Sequence, residues 1–277
     1  MRPDEVLRTP PRDRWDRPYL CLRGSDRNSE VRTRRSSHLM RFEVQTEREE
    51  IVRRLRAHAK PGGDPNLQSY AGSPYPVLGL TTPTIRSILR EFRSRNRTLS
   101  TRDVNALAKT LWSGRTFEEK VFAIAVLGAY RKILDDASWK LADHWVDEAV
   151  GWALSDGLAS GPVAAMVRPK PGRYQEVLRW TTSSHIWRRR AATYAMHDFV
   201  LAGELNKPFQ LLEKLLYDDE FWVQRAVGTW LRESWKRDRH RTEAFLRKHV
   251  RGLPKVVITV ATERAPKAFR DELRSRR

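Results

Sequence analysis

An all-α fold is predicted for this chain, on three observations. Apolar residues recur at helical spacing through most of the chain beyond residue 43, and no convincing run alternates apolar with polar. Start and stop signals (Ser, Thr and Asp caps, Gly and Pro breaks) punctuate the pattern at short intervals. Pairs of the resulting helices return about every 35–45 residues without an exact repeat, which is the spacing of a HEAT- or armadillo-like solenoid. Such an array is elongated and curved, and a basic concave face on it would suit a duplex. A compact helical bundle is the alternative architecture.

Residues 1–39 differ from the rest. They carry Pro3, Pro10, Pro11 and Pro18 among many Arg and Asp residues, with no sustained period. They read as a disordered basic arm, or as the product of a start placed upstream of the true one. Residues 40–277 form the helical-repeat domain, opening at Met40. Its first helix, over 43–60, places Val44, Ile51, Val52 and Leu55 on one face and stops at Pro61-Gly62-Gly63-Asp64-Pro65. A loop runs on through Ser69 to Pro76. Thr82 as cap and Pro83 as first helical residue open a helix to about Arg95, with Ile85, Ile88, Leu89 and Phe92 as its stripe. Ser100 caps a helix over 101–112, broken by Ser113-Gly114. Thr116 and Glu119 make a capping box for the next. Asp136 or Ser138 begins a helix with Trp139, Leu141, Ala142, Trp145 and Val146. The stretch 150–168 is apolar and rich in small residues. A basic turn, Pro169 to Arg173, leads to a short helix ending at Trp180. Helices then follow over 185–202, from Lys207-Pro208 to Tyr217, and over 220–235. Two more fill the tail, with Pro254 and Pro266 at starts or breaks. Val256-Val257-Ile258-Thr259-Val260 is the only β-branched run, short enough to be strand or helix.

Composition narrows the function. With 53 Lys and Arg against 34 Asp and Glu, the net charge is +19, so the chain is drawn to polyanions: nucleic acid first, an acidic membrane surface second. A solvated basic surface would give the same sum. Arginine far outnumbers lysine, which suits bidentate phosphate contacts. The one cysteine, Cys21, excludes an intrachain disulfide framework and a cysteine-cluster metal site. No apolar run reaches the length of a membrane span, and the N-terminus lacks an apolar signal core. A soluble, cytoplasmic, monomeric protein is the expectation. The seven histidines show no ligand spacing, and Walker, GxGxxG and GxSxG signatures are absent. Chemistry here would rest on acids, aromatics and arginines, with no cofactor or metal.

Three stretches carry candidate chemistry. In Gly151-Trp152-Ala153-Leu154-Ser155-Asp156 an indole and a carboxylate lie four residues apart, on one face of a helix. In Trp187-Arg188-Arg189-Arg190-Ala191-Ala192 three consecutive guanidinium groups open an apolar helix. In Phe221-Trp222-Val223-Gln224-Arg225-Ala226-Val227-Gly228-Thr229-Trp230-Leu231-Arg232, the side chains of Arg225, Thr229 and Arg232 form one stripe, with Trp222, Ala226 and Trp230 on the next. An aromatic, an acid and arginines on neighbouring helices could hold a cationic base against a phosphate backbone. The bland alternatives are a packing tryptophan, a capping aspartate and a solvated basic face. Gly228 within a helix costs about 1 kcal/mol against Ala, so close helix approach or access to a ligand is expected there.

The order of these pieces resembles the AlkD-like DNA alkylation repair family, helical-repeat DNA glycosylases. The resemblance runs over about residues 43–270 through Leu78-Gly79-Leu80-Thr81-Thr82-Pro83-Thr84-Ile85-Arg86, Leu111-Trp112, Phe117-Glu118-Glu119-Lys120, Ala123-Ile124 and the three stretches above. It implies a HEAT-like solenoid with a concave basic face for double-stranded DNA containing alkylated bases, and excision of positively charged N3- or N7-alkylated purines without metal or cofactor. It implies Trp152 and Asp156 as the catalytic aromatic and acid, and Arg190 as a backbone-phosphate contact. Arg188, Arg189, Arg225, Thr229 and Arg232 are the further DNA-contact candidates. One position departs: the family's Trp after the Gly is here Thr229, with the indole one residue later at Trp230, about 100° around the helix. The alternative function is a non-catalytic HEAT-repeat protein that binds branched or distorted DNA.

Overall fold

The computed structural model describes residues 42–277. The expected arm, Cys21 and the Met40 start lie outside the described residues. Among the described residues all regular structure is helical, and no helix is long and apolar enough to cross a membrane.

The first unit is α1 (Val44–Ala57), α2 (Pro65–Ala71), α3 (Thr82–Arg95), α4 (Thr101–Trp112) and α5 (Phe117–Ala129). The segment expected to be a loop contains α2. Asp64 caps it by accepting the Leu67 N–H at 2.9 Å, Pro65 opens it, and Gly72 closes it at φ 65°. The cap of α3 is Thr81, not Thr82: the Thr81 hydroxyl accepts from the Thr84 N–H, and Pro83 is the second helical residue. Thr116 and Glu119 form the expected capping box. Helix α5 is buried on nearly every face and threads the core. Its buried Glu118 accepts the backbone N–H groups of Leu78, Gly79 and Leu80 (2.9, 2.9 and 3.3 Å), tying the loop before α3 to α5. Burial pushes that carboxyl up, against the pull of those donors.

The second unit is α6 (Asp136–Glu148), α7 (Trp152–Leu158), a π-helical turn (Ala159–Val163), α8 (Ala164–Val167) and α9 (Pro171–Trp180). Asp135 caps α6 in a reciprocal box with Ser138. Pro162 sits inside the π turn, where its missing N–H interrupts the α ladder and the helix widens. Stacked indoles join the first unit to the second and tie α6 to α9 within the second. Trp112 lies on Trp145 (4.5 Å, 10°) and Trp139 on Trp180 (5.9 Å, 6°), while their Nε1–H groups donate to Glu148 and Glu176.

The third unit comprises α10 (Ile186–Tyr194), α11 (His197–Leu201), α12 (Asn206–Glu213), α13 (Phe221–Trp235), α14 (Arg239–His249), α15 (Lys255–Ala261) and α16 (Lys267–Ser275). The single helix expected over 185–202 is broken at Ala195-Met196, and the tail holds three helices rather than two. The β-branched run is helix α15, packed closely on α13. A Cβ on Gly228 would come within 2.7 Å of Val260 Cβ and 3.0 Å of the Val257 carbonyl. Helix approach is therefore the reason for that glycine.

Candidate active site around Asp156 and Arg190

Helix α7 starts at a fixed point. Gly151 precedes it at φ 88°, and a Cβ there would lie 2.4 Å from the Gly72 carbonyl oxygen. Only glycine lets the two backbones meet so closely. This contact presses the start of α7 onto the end of α2. Trp152 then donates from Nε1 to the Tyr70 carbonyl at 2.5 Å and stands edge-on to the Tyr70 ring at 5.2 Å. Tyr70, at 41% exposed, is thus an aromatic neighbour of the site that sequence reasoning missed. The Asp64-Pro65 start and Gly72 stop were the signals for it.

One turn on, Asp156 is 8% exposed. Its two carboxylate oxygens accept the Nε–H and an Nη2–H of Arg190, both at 2.7 Å. Arg190 comes from the first turns of α10 and is 5% exposed. It also donates to the Trp222 carbonyl from Nη1 and to the Tyr194 hydroxyl from Nη2 at 3.2 Å. Its guanidinium lies 5.9 Å from the Trp222 ring centre, and the Trp222 ring is tilted against Trp187 at 6.1 Å. Trp187 and Trp222, both half-buried, therefore form an aromatic pair at the arginine's side of the carboxylate.

Burial pushes the Asp156 carboxyl above the usual carboxylate range, against the opposing pull of Arg190 and the Tyr194 hydroxyl. Arg190 stays charged: burial opposes its charge, but Asp156 holds its pKa above the ordinary arginine value. Tyr194, whose hydroxyl accepts from Arg190 Nη2, is pushed up by burial and keeps its proton. The arrangement is a desolvated carboxylate with one dedicated cation and indole surfaces nearby. It can stabilise positive charge that develops within reach of Asp156.

The three consecutive arginines do not act as one cluster. Successive residues of a helix point about 100° apart, and each guanidinium finds a different acid. Arg188 reaches α6, meeting Asp143 at 2.7 Å and Asp147 at 2.6 Å. Arg189 meets Asp218 at 2.7 Å and the Ser183 carbonyl at 2.8 Å. Of the α13 candidates, Arg225 is exposed with its guanidinium 5.8 Å from the Phe221 ring. Thr229 is half-buried, and Arg232 pairs with Glu263 at 2.6 Å. Trp230, at 3% exposed, is a core residue set edge-on to Tyr194 (5.4 Å) and His197 (5.8 Å).

Solved structures share this fold. A predicted DNA alkylation repair enzyme from Enterococcus faecalis superposes with a TM-score of 0.65 at 14% identity, over 76% of this chain and 98% of its own. AlkD2 from Streptococcus mutans gives 0.58 at 14% identity, over 80% and 99%. Among curated proteins none matches the sequence. The family model for DNA alkylation repair enzymes matches residues 51–265, a span that contains every helix built around Asp156 and Arg190. The chain belongs to the DNA alkylation repair enzyme family.

Proposed function

We propose that this chain is a DNA glycosylase that hydrolyses the N-glycosidic bond of positively charged N3- or N7-alkylated purines in duplex DNA. The observation that carries the reading is the buried Asp156 carboxylate, gripped by Arg190 and preceded by Trp152 on one face of α7. An alkylated purine already bears positive charge and departs neutral, taking the bonding electrons. The sugar is left as an oxocarbenium-like centre, and water adds at its C1′ with loss of a proton. The enzyme's task is to stabilise the sugar cation. An ionised Asp156 in a water-poor site does so electrostatically and orients the incoming water. The indoles add cation–π attraction of roughly 0.5–2 kcal/mol for the cationic base. Arg190 turns part of its guanidinium to the backbone phosphate beside the lesion. Arg225 on the exposed edge of α13 adds phosphate contact, within a net charge of +19 that favours a polyanion. The protein acts as a monomer without metal or cofactor.

A second reading is non-catalytic recognition of branched or distorted DNA. Thr229, half-buried where the resemblance expects an indole, favours it, as does the engagement of both Asp156 oxygens by Arg190. Release of 7-methylguanine and 3-methyladenine from methylated duplex, wild type beside Asp156→Asn, separates the two. Release by wild type alone supports the glycosylase. Release by neither, with salt-sensitive duplex binding intact, supports the binding protein.

A further inference from the structure

We propose that Tyr217 is a stacking platform for an unpaired DNA base, set beside the Asp156 site on the edge where α10, α13 and α15 begin. The inference rests on DNA as the partner, which both readings above share, and it is independent of base excision.

Tyr217 is 55% exposed, more than any other large hydrophobic side chain among the described residues. A lone exposed ring is ordinary on a protein surface, but this one is fixed in place. Its hydroxyl donates to the His249 carbonyl at 3.2 Å, with the Arg251 carbonyl at 3.5 Å. A Cβ added at Gly252 would lie 3.7 Å from Tyr217 Cε1, so the ring rests against the α14–α15 loop. The tether ties one end of the ring to main chain while the rest stays in water. A ring already held in one position loses little freedom when a base stacks on it, so little of the stacking energy goes to ordering.

The setting suits a polyanion. Lys214 lies three residues before Tyr217, Arg251 on the loop beside the ring and Lys255 at the start of α15. All three are exposed, and none has an acid partner among the described residues. The nearby acids are engaged. Asp218 meets Arg189 at 2.7 Å, Asp219 lies 4.0 Å from the same guanidinium, and Glu213 meets Lys248 at 3.4 Å. The site is close by in the chain's own contacts. Arg189 precedes Arg190, and the Trp222 carbonyl at the start of α13 holds Arg190. A strand leaving Asp156 along this edge therefore meets cations for its phosphates and an open π-face for a base. Every base has such a face, so the platform does not read sequence. It selects a base free of its stack, because in an intact duplex both faces of each base are covered by its neighbours.

The test uses the full-length protein, a blunt duplex, and the same duplex extended by a single-stranded tail that carries 2-aminopurine. Wild type should bind the tailed DNA more tightly than the blunt one and quench the 2-aminopurine fluorescence. Tyr217→Ala should weaken binding of the tailed DNA about 5- to 100-fold, the loss expected when an aromatic platform under a base is removed, and should leave the 2-aminopurine bright. Its affinity for the blunt duplex should be unchanged. Tyr217→Phe keeps the ring and deletes the tether, so it should bind the tailed DNA nearly as well as wild type. A tyrosine that served only to pin the loop would give the opposite pattern, with the Phe and Ala variants losing alike. Arg251→Gln should lower the salt slope for the tailed DNA by about 0.7, the value for one phosphate of a single strand. Equal affinity of wild type and Tyr217→Ala for the tailed DNA, or an equal loss on both DNAs, overturns the platform and leaves DNA binding standing. A wild type without salt-sensitive affinity for either DNA overturns the platform and the DNA reading together.

Discussion

Arg190 holds Asp156 by two parallel N–H···O bonds of 2.7 Å each, and both residues are almost wholly removed from solvent. The pair joins α10 to α7 across the unit boundary, and it fixes which way the carboxylate faces. Removing one partner strands the other's charge. Arg190→Ala should therefore destabilise the fold by roughly 3–5 kcal/mol in urea unfolding, whereas the double change Arg190→Met with Asp156→Leu should recover much of that loss. A double variant as unstable as the single one would count against the pair as the cause.

The acid side of the rate profile should report Asp156. Catalysis needs the ionised carboxylate, and burial raises its proton affinity. Activity should therefore be lost on acidification at a pH above the ordinary aspartate value of about 3.9. The residual activity of Asp156→Asn should lack this limb.

Trp222 and Thr229 are seven residues apart on α13, two turns along nearly the same face. Trp222 therefore offers indole surface on the stripe where Thr229 has none. Trp222→Ala should weaken excision of a cationic purine about 2- to 30-fold, equivalent to roughly 0.5–2 kcal/mol of cation–π attraction. Competition between 7-methylguanine and a neutral lesion analogue would show whether the loss is specific to charge.

Gly228→Ala sets two effects against each other. Helix propensity gains about 1 kcal/mol, but the new methyl would lie 2.7 Å from Val260 Cβ. Overpacking should dominate, with a net loss of about 1–2 kcal/mol. Trimming the neighbour in Gly228→Ala with Val260→Ala should restore part of it. Thermal melts of the three variants would decide the matter.

Much of the fold was legible because helices are written in short-range chemistry. The Thr116–Glu119 box, the Ser100 cap and the Ile85, Ile88, Leu89, Phe92 stripe each formed as their spacing implies. Errors fell where local signals conflict. Proline and glycine density hid α2, although Asp64-Pro65 and Gly72 are start and stop residues. β-Branching obscured α15, whose helical state comes from packing on α13.

The candidate site divides along the same line. The sequence by itself determined that Trp152 and Asp156 share a helix face and that arginines open α10, because these follow from residue order and helical period; its ordered motifs carried the resemblance to the DNA alkylation repair family, which the family model bears out. Only the tertiary structure decided which arginine meets the carboxylate. Three adjacent guanidinium groups differ by about 100° steps around one helix, and their partners, Asp143, Asp156 and Asp218, come from segments distant in sequence. Tertiary packing likewise turned Trp230 into the core and set its ring edge-on to Tyr194 of α10. Those contacts depend on where α7, α10 and α13 lie relative to one another, which no local pattern encodes.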